Sequence, residues 1–355
     1  MSVFEHRSYD DHEHVAFCHD RETGLNAIIA IHNTCLGNAM GGCRMVNYRS
    51  ADEALNDVLR LSRGMTYKSA AANLPLGGGK SVILGDPREH KTKDMLRAMG
   101  RFVDSLNGRY VVAEDSGMGE ADMRVMAEQT PHVVGYAKHD GERGDPAPAT
   151  AYGVFLGLRT AVAHRYKTSD IRDMRVAIQG MGNVGYRLAK LLHEAGAQLL
   201  VSDIFRDNTD RARREFGATV VPPEQIFNQD VEVISPCALG AVIDDRVLNQ
   251  LRAGVIAGSA NNQLAYDDIG NALKAKSILY APDYVINAGG IIDVYYQTRG
   301  LPYAQAQRHM TKCISSTLTE VFRRAASSDQ STNVIADQVA RSRFDPDYHP
   351  INDAA

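Results

Sequence analysis

The sequence predicts an α/β protein of two domains, with a C-terminal Rossmann-type, doubly wound sheet after an N-terminal domain of mixed strands and helices. Three observations support this fold class. The chain has 355 residues, more than one compact core usually accommodates. Strand and helix patterns alternate from about residue 174 to about residue 300, which is typical of a parallel sheet covered on both faces. A glycine-rich turn joins the first strand and helix of that alternation.

Both element types are predicted in the N-terminal part. Dense β-branched and apolar residues predict strands at 26–33, 81–84 and 109–113. Helical spacing of apolar residues predicts helices at 50–67, 92–108 and 119–130. The first of these helices opens with Ser50 and Glu53, the pattern of a capping box.

A break in the apolar pattern divides the chain. Residues 138–149, "KHDGERGDPAPA", combine glycines, prolines and charges without apolar periodicity, which favours a linker. We therefore predict a first domain at 1–137, a hinge at 138–149, a second domain at 150–330, and a C-terminal helix and tail at 331–355 that is a candidate for returning to the first domain. A cleft is expected between the two domains.

Composition excludes several classes of function. The hydrophobic fraction of 44%, net charge of −4 and pI near 6.3 indicate a globular protein without a nucleic-acid footprint. No apolar run approaches a membrane span, and the N-terminus lacks a signal-peptide pattern, so a cytoplasmic protein is expected. The five scattered cysteines favour reduced thiols. The stretch "DDHEHVAFCHD" lacks zinc-site spacing, so we interpret it as a polar strand entry and predict no metal site.

The segment "NLPLGGGKSVILGDP" raises the question of what Lys80 contacts. A nucleotide-binding P-loop requires a glycine five residues before Gly79, where this chain has Leu74. It also requires a helix after the lysine, whereas "SVILGD" predicts a strand. Lys80 must therefore have another partner.

The turn in "VAIQGMGNVGYRLAKLL" predicts a dinucleotide site. Gly180, Gly182 and Gly185 follow a predicted strand and open a predicted helix, the context in which such a turn binds a pyrophosphate. Asp203 ends the next strand, 18 residues past Gly185, where a carboxylate accepts hydrogen bonds from ribose hydroxyls and repels a 2′-phosphate. NAD is therefore predicted over NADP, although Arg206 nearby would soften the preference.

Three charged residues are candidates for proton chemistry. Lys68 and Lys80 lie 12 residues apart on either side of a predicted bend. Two ammonium groups in one pocket depress each other's pKa, so one lysine becomes a candidate base while the other clamps a carboxylate. Asp115 ends a strand that looks buried, where its carboxylate is placed to relay a proton. Each residue taken alone is more often a surface lysine or a helix-capping aspartate than a catalytic group.

Eight blocks, in order, resemble the glutamate, leucine, phenylalanine and valine dehydrogenase family. They are "AIIAIHNTCLGNAMGGCR", "LRLSRGMTYKSAAANLPLGGGKSVI", "GRFVDSLNGRYVVAED", "PATAYGV", "VAIQGMGNVG", "SPCALG", "AGSANNQL" and "YAPDYVINAGGII". The resemblance spans nearly the whole chain. It implies NAD-dependent, reversible oxidative deamination of an L-amino acid to a 2-oxo acid and ammonium.

The resemblance also implies roles for individual residues. Lys68 would bind the substrate carboxylate beside Gly41 and Gly42, Lys80 would activate water for attack on the imine, and Asp115 would hold the amino group and shuttle its proton. Contacts with the substrate are implied for Asn262. Contacts with the cofactor are implied for Thr150, Asn183, Val184, Cys237, Ala238, Asn261 and Asn287.

Substrate preference is predicted from the side-chain pocket. Met40 stands where glutamate-specific relatives place a lysine, and an apolar side chain cannot offset desolvation of a carboxylate. Met40, Ala113, Ile291 and Val294 are expected to form a medium apolar pocket for leucine, valine and isoleucine. Phenylalanine or tryptophan remains an alternative substrate, and a non-catalytic NAD and amino-acid sensor is a remote one.

The chain departs from the family pattern at Cys43, at Ser116 to Glu120 and at Asp293. The effect of these departures on substrate preference stays open at this stage. The resemblance implies that the first domain, at 1–137, binds the substrate and forms the oligomer, and that the second, at 150–330, binds NAD. It also implies a homo-oligomer, an octamer for leucine types or a dimer for others.

Overall fold

The computed structural model describes residues 2–137, 144–238 and 240–349. The chain divides into two compact units, Met1–Asp145 with Arg343–Pro346, and Pro146–Ser342 with Asp347–Ala355. No helix in the described ranges is long and apolar enough to cross a membrane. The predicted two-domain α/β fold class is confirmed.

The first unit is built on a five-stranded mixed sheet. Its elements are β1 (His14–Asp20), β2 (Leu25–Asn33), β3 (Ala39–Val46), α1 (Ala51–Ala71), β4 (Gly77–Leu84), α2 (Lys93–Asp104), β5 (Tyr110–Glu114) and α3 (Glu120–Ala127). The strand order is β1-β2-β4-β3-β5, with β2 antiparallel to its two neighbours and β3 parallel to β4 and β5.

Apolar residues alternate between the two faces of this sheet, as the period of two in a strand requires. Ile28 and Val82 pack with Val58 and Leu59 of α1. On the opposite face, the buried residues that pack together include Ile29 and Ile83 of the sheet and the methionines of α2 and α3. The strand order therefore brings β3, β4 and β5 side by side beneath α1, although they come from distant parts of the chain.

The start of α1 corrects one detail of the predicted capping box. Ser50 Oγ accepts a hydrogen bond from Glu53 N at 3.1 Å, as expected. The Glu53 carboxylate, however, accepts from Arg49 N at 2.7 Å. One half of the box is therefore present, and the other half is displaced by one residue along the backbone.

The histidine-rich N-terminal stretch also differs from the prediction. Strand β1 begins at His14, so His12 lies outside the strand and is only 5% exposed. Its Nε2 contacts Leu59 O at 3.0 Å and Ser62 Oγ at 3.1 Å, which ties the segment to α1. His12 is therefore a packing residue rather than part of a polar strand entry. No group of three or more metal-ligating side chains suited to a metal is found among the described residues.

Burial lowers the pKa of His12 from its ordinary value of 6.5 to about 4. The unfolded chain therefore binds more protons than the folded chain between these two pH values, and the free energy of unfolding should fall as pH drops through that window. We expect a loss of about 1–3 kcal/mol, allowing for partial solvent screening. Urea unfolding at a series of pH values from 4 to 7 measures it.

The control separates His12 from the other titrating groups. His12→Gln should flatten the pH dependence in this window, because the titrating ring is removed. His19→Gln, at an exposed histidine that contacts Asn26, should leave it unchanged. Equal slopes for the two variants would mean that His12 is not the group responsible.

The second unit contains a six-stranded sheet whose strands are all parallel. Its first half consists of α4 (Ala147–Tyr166), β6 (Arg175–Gln179), α5 (Asn183–Glu194), β7 (Gln198–Ser202), α6 (Arg206–Phe216) and β8 (Thr219–Val220). Its second half consists of β9 (Val233–Pro236), α7 (Asp245–Gln250), β10 (Val255–Ile256), α8 (Ile269–Ala275), β11 (Leu279–Tyr280), α9 (Asp283–Ile286), α10 (Gly289–Gln297), α11 (Tyr303–Ala326) and α12 (Thr332–Phe344).

The strand order β11-β10-β9-β6-β7-β8 reverses direction between β6 and β9. Both faces of the sheet are covered: Ile234 and Ile256 pack with α7 and α8, while Val233 and Val255 on the opposite face are fully buried. Ligands of such sheets bind at the carboxyl ends of the strands that flank the reversal. The predicted glycine turn, Gly180 to Gly185, begins directly at that end of β6.

Part of the predicted hinge is helical. Helix α4 begins at Ala147, so residues 147–149 belong to it, and residues 138–143 lie outside the described part of the chain. Pro146 occupies the N-cap, and Pro148 lies in the first turn, where a missing N–H costs nothing. The prolines interpreted as chain breakers thus begin a helix. The hinge itself stays a prediction.

The C-terminal segment is shared between the units. Helix α12 ends at Phe344, and Arg343–Pro346 group with the first unit. The Arg343 guanidinium donates to the carbonyls of Ala71 at 2.8 Å and Ala70 at 3.2 Å, which are in the last turn of α1. The Phe344 ring lies 5.2 Å from that of Tyr67.

Candidate active site

Lys80 lies in the middle of the first sheet. It is paired with Ala30 of β2, and only 6% of its surface is exposed. Strand β4 begins at Gly77, so the three glycines before Lys80 belong to the strand rather than to a loop. The prediction of a strand after Lys80 is confirmed, which removes the helix that a P-loop would need.

The glycines of β4 make room for the unit's own atoms. A side chain at Gly78 would lie 2.1 Å from Thr66 N of α1, and one at Gly79 would lie 2.7 Å from the Tyr110 ring. These glycines allow α1 and Tyr110 to pack directly against the strand.

Asp115 forms an ion pair with Lys80. The carboxylate follows the last residue of β5, and its Oδ2 contacts Lys80 Nζ. Its Oδ1 accepts a hydrogen bond from Ser116 N at 2.5 Å. Burial alone would raise the pKa of the Asp115 carboxyl, but Lys80 and then Arg44 outweigh it and hold that pKa below its usual range. The pair therefore presents an ionised carboxylate beside a buried amine.

Gly42 lies directly beside this pair. A side chain at Gly42 would meet Asp115 Cβ at 2.7 Å and Lys80 Nζ at 3.2 Å. Gly42 is also the register partner of Ala113, which is half-buried. The structure thus brings Lys80, Asp115, Gly42 and Ala113 together, and their predicted roles toward a substrate stay predictions.

The remaining predicted residues of the first unit lie on β3 and α1. At Gly41 a side chain would lie 1.7 Å from Gly79 O, so only glycine fits. Met40 is 4% exposed and is paired with Gly78 and Val111. Lys68 is half-buried in the last turn of α1, the helix that packs on β4. The roles predicted for these residues stay predictions.

Tyr110 was not identified from the sequence. Its hydroxyl donates to the carbonyl oxygens of Gly41 at 2.9 Å and Gly42 at 3.3 Å, and it also contacts Ser81 Oγ at 3.1 Å. This fully buried side chain fixes the backbone of the glycine pair from the face opposite α1. Cys43, one of the departures from the family pattern, is buried on the same face, and burial raises the pKa of its thiol to about 12. It is therefore a neutral packing residue.

The second unit carries the glycine turn. Gly180 has a φ of +96°, a conformation that favours glycine, and a side chain at Gly185 would lie 2.0 Å from Gly180 O. A side chain at Gly182, in contrast, would meet no atom within 4 Å. Gly182 caps α5, whose first residues are Asn183 and Val184. Open space in front of a helix N-terminus fits a pyrophosphate, because that terminus offers unpaired N–H groups and a partial positive charge.

Asp203 lies next to this turn. Its Oδ2 accepts a hydrogen bond from Met181 N at 2.6 Å, and its Oδ1 accepts from Phe205 N at 2.8 Å. The carboxylate therefore also holds the glycine turn in place, a contact that spacing alone did not reveal. The exposed Arg206 begins α6, and its Nε lies 3.5 Å from Asp210.

The carboxyl end of β9 closes the other side of the turn. Cys237 N donates to Gln179 O at 2.7 Å. A side chain at Gly180 would lie 2.7 Å from Ala238 Cβ, so Ala238 packs directly against the turn. The predicted cofactor residues of β6 and β9 therefore lie together where the strand order reverses.

Asn287 provides a buried polar atom that suits a ligand. Its Nδ2 donates to Asn261 Oδ1 at 2.7 Å and to Ser259 O at 3.1 Å. Its Oδ1 is buried and accepts no hydrogen bond within the described part of the chain. Buried acceptors are normally paired, so this atom is placed for a donor from outside the protein. Together with the open position at Gly182, it makes the residues of this unit fit a dinucleotide.

The other predicted residues of the second unit are more scattered. Thr150 Oγ1 donates to Pro146 O at 3.1 Å and lies beside Gly290. Asn262 is exposed and has a φ of +51°. On α10, Ile291 is half-buried and Val294 is buried, while the departure Asp293 is buried and accepts from Gln297 Nε2 at 2.8 Å. Their predicted contacts with substrate or cofactor stay predictions.

A buried lysine–carboxylate pair in one unit and a dinucleotide-type turn in the other are features of dehydrogenases that act on small molecules. Family comparison gives the particular class. Residues 12–132 match the model for the Glu/Leu/Phe/Val dehydrogenase dimerisation domain. Residues 141–205 and 204–340 match the model for Glutamate/Leucine/Phenylalanine/Valine dehydrogenase. The chain belongs to this family of amino-acid dehydrogenases, and the resemblance seen in the sequence is confirmed.

Similar proteins include more than one substrate class. The chain is 47% identical to the leucine dehydrogenase of Geobacillus stearothermophilus over 345 residues, covering 97% of this chain and 94% of that protein. It is 46% identical to the L-tryptophan dehydrogenase of Nostoc punctiforme over 345 residues, covering 97% and 96%. A crystal structure of L-tryptophan dehydrogenase from Nostoc punctiforme superposes with a TM-score of 0.84 at 44% identity, covering 95% of this chain and 96% of that one.

Proposed function

We propose that this chain catalyses the reversible, NAD-dependent oxidative deamination of leucine, valine and isoleucine to their 2-oxo acids and ammonium. The observation that carries the proposal is the buried Lys80–Asp115 ion pair beside Gly42. It places the ionised Asp115 carboxylate in contact with the Lys80 amine, beside a glycine that has no side chain. An amino-acid substrate suits this pair, because its ammonium is a donor for Asp115 and its Cα is the atom that water activated by Lys80 would attack.

Each group has a defined task in this reaction. Lys68 and the backbone of Gly41 and Gly42 bind the substrate carboxylate, and Asp115 takes one proton from the substrate ammonium to leave a neutral amine. NAD held by the second unit would supply the hydride acceptor, so that loss of hydride from Cα leaves the substrate as an iminium ion. Lys80 takes a proton from water as the water oxygen bonds to Cα. Asp115 then returns its proton to the amino group, and as the C–N bond breaks the departing ammonia takes the hydroxyl proton and leaves as ammonium.

The choice of substrate rests on Met40. A buried methionine beside the glycine pair offers no counter-charge to the side chain of glutamate. Selection among leucine, valine and isoleucine should be weak, because one methylene in an apolar pocket changes the free energy of the transition state by about 1–3 kcal/mol. The Nostoc punctiforme relative is named a tryptophan dehydrogenase, so aromatic substrates form the second candidate class.

The proposal also covers the cellular compartment, the oligomeric state and the cofactor preference of the enzyme. All five cysteines are free thiols, which suits the reducing cytoplasm. The match to a dimerisation-domain model supports a homo-oligomer, either an octamer or a dimer. Asp203 favours NAD over NADP because its carboxylate would repel a 2′-phosphate.

Initial rates of NAD reduction with a panel of L-amino acids test the proposal, with NADP as the alternative cofactor. We expect fast oxidation of leucine, valine and isoleucine, slow oxidation of phenylalanine and tryptophan, and none of glutamate. A preference for aromatic substrates would keep the reaction and overturn the assignment of the pocket. If NADH binds but no amino acid is oxidised, the protein is a sensor and the proposed activity is wrong.

A further inference from the structure

Asp115 is held by two cations rather than one. Lys80, on β4, contacts Oδ2, and the Arg44 guanidinium, on β3, lies 3.5 Å from Oδ1 through Nη2. The side chains of Arg44 and Asp115 are only 24% and 16% exposed. Each carboxylate oxygen therefore faces its own positive charge, and the two charges come from neighbouring strands.

Arg44 is itself fixed from the side of α1. Its Nη1 donates to Asp57 Oδ2 at 3.0 Å, and the Tyr48 hydroxyl donates to the same oxygen at 2.7 Å. Burial and the hydrogen bond to Asp57 raise the pKa of Tyr48, so this hydroxyl keeps its proton. Asp57 and Tyr48 thus hold the guanidinium at one end while its other end faces Asp115.

If Arg44 served only to stabilise the fold, its ion pair with Asp57 would be sufficient. The guanidinium, however, is shared between two carboxylates, and the second of them is the one in contact with Lys80. Oδ1 also accepts the hydrogen bond from Ser116 N, so Arg44 and Ser116 N hold this oxygen together while Lys80 holds the other. A carboxylate with a cation on each oxygen is held in a single orientation. The arrangement therefore fixes the direction of Asp115 Oδ2.

We propose that Arg44 is a positioning residue for the deamination proposed above, on which this inference rests: it holds Asp115 Oδ1 so that Oδ2 stays directed at Lys80 and at the substrate amino group. Arg44 itself touches neither substrate nor cofactor in this role. Its location two residues after Gly42 on the same strand places both residues on one face of the sheet.

The surroundings of Asp115 allow a pH test. Among the described residues, the titratable groups that face it, or that hold Arg44, include Lys80, Arg44, Cys43, Tyr110, Glu114, Asp57 and Tyr48. Burial raises the pKa of the Cys43 thiol and of the Tyr110 and Tyr48 hydroxyls, so these three are neutral at working pH. Without Arg44, Lys80 and the hydrogen bond from Ser116 N would still oppose the effect of burial on Asp115, but protonation of its carboxylate would begin at higher pH.

The experiment compares Arg44→Gln and Arg44→Lys with Arg97→Gln, which removes a guanidinium of the same unit that pairs with Asp94 and Glu128. Turnover of leucine is measured against pH, with kcat and KM separated and the melting temperature recorded. We expect Arg44→Gln to lower kcat roughly 10- to 100-fold, the range for misplacing a reacting group by up to about an ångström. KM should change less, and the acid limb of the kcat/KM profile should move to higher pH.

Arg44→Lys keeps the charge but cannot bridge Asp57 and Asp115 together. We expect it to restore the wild-type acid limb but only part of kcat, while Arg97→Gln should match the wild type in both. If Arg44→Gln does not fold, a reduced kcat in Arg44→Lys with wild-type KM still supports the inference. Wild-type kcat and a wild-type acid limb in either folded variant would overturn it. A wild-type protein that oxidises no amino acid overturns the proposed function, and this inference with it.

Discussion

Replacing Lys80 by alanine should lower kcat for leucine oxidation by roughly 10²- to 10⁴-fold, the contribution of a positioned general base. The expected effect is large because Lys80 combines burial with direct contact to Asp115. Within the described residues, Arg44 is the second cation on that carboxylate, and its guanidinium stays protonated at any working pH. It cannot take over as a base.

The fold should survive this substitution. Breaking a buried pair is costly when it leaves a carboxylate without a partner. Here Asp115 keeps Arg44 and the hydrogen bond from Ser116 N, so we expect a moderate loss of about 1–3 kcal/mol in unfolding free energy. NADH binding should be largely unchanged, because the dinucleotide-type turn belongs to the second unit.

Three measurements on Lys80→Ala decide the matter: kcat, the dissociation constant for NADH by fluorescence, and the melting temperature. Lys93→Ala is the matched control, since it removes an exposed lysine of the same unit at the start of α2. It should behave as the wild type in all three. Turnover within threefold of the wild type in Lys80→Ala would show that the proton is handled by another group.

Local patterns were sufficient for most elements of the fold. Apolar runs located β2 and β4, helical spacing located α1 and α2, and the alternation after residue 174 predicted the parallel sheet, because each of these signals depends on residues close in sequence. The prediction was wrong where one residue type is typical of two different structures. Pro146 and Pro148 are typical of linkers and also of a helix start, and only the observed start of α4 distinguishes the two.

The candidate site was predictable where a residue lies within a long and specific sequence pattern. Lys80, Asp115 and the glycines Gly41 and Gly42 were found because the blocks around them resemble a family. Tyr110 was missed because its contact with Gly41 requires the strand order, which places β5 beside β3 although 69 residues separate the two in sequence. The spacing of two residues from Gly42 could have placed Arg44 on the same face of the strand as the site. It could not have identified Asp57 as the partner of Arg44, because Asp57 lies on a helix.

Replacing Gly182 by valine should weaken NADH binding roughly 10- to 100-fold. Forcing extra carbon atoms into an occupied contact typically costs about 1–3 kcal/mol, and each 1.4 kcal/mol is tenfold in affinity. The side chain at this position would meet no protein atom within 4 Å, unlike one at Gly180 or Gly185. The backbone of Gly182 is in the extended region at φ −70°, which valine adopts without strain. Because valine is a poorer N-cap than glycine, the unfolding free energy should fall by about 1 kcal/mol, and the fold should survive. The weaker NADH binding would then be a loss of ligand contact.

Gly64→Ala is the control for the general effect of adding a side chain. Gly64 lies in α1, also with open space around its Cβ position, and alanine there should raise the unfolding free energy by up to about 1 kcal/mol. NADH binding should not change. Gly182→Ala should fall between the wild type and Gly182→Val, because its single methyl reaches less far into the space proposed for the pyrophosphate.

The two glycine-turn variants and the lysine variant should give opposite patterns. Gly182→Val should raise the KM for NAD and retain much of kcat at saturating NAD, because its substitution leaves Lys80 and Asp115 untouched. Lys80→Ala should lose kcat and retain NADH binding. If Gly182→Val bound NADH as tightly as the wild type, the open position before α5 would not be the pyrophosphate site, and the orphan acceptor on Asn287 would be the remaining guide to where the cofactor lies. If both variants lost both properties, chemistry and cofactor binding would be coupled through the protein rather than assigned to separate units.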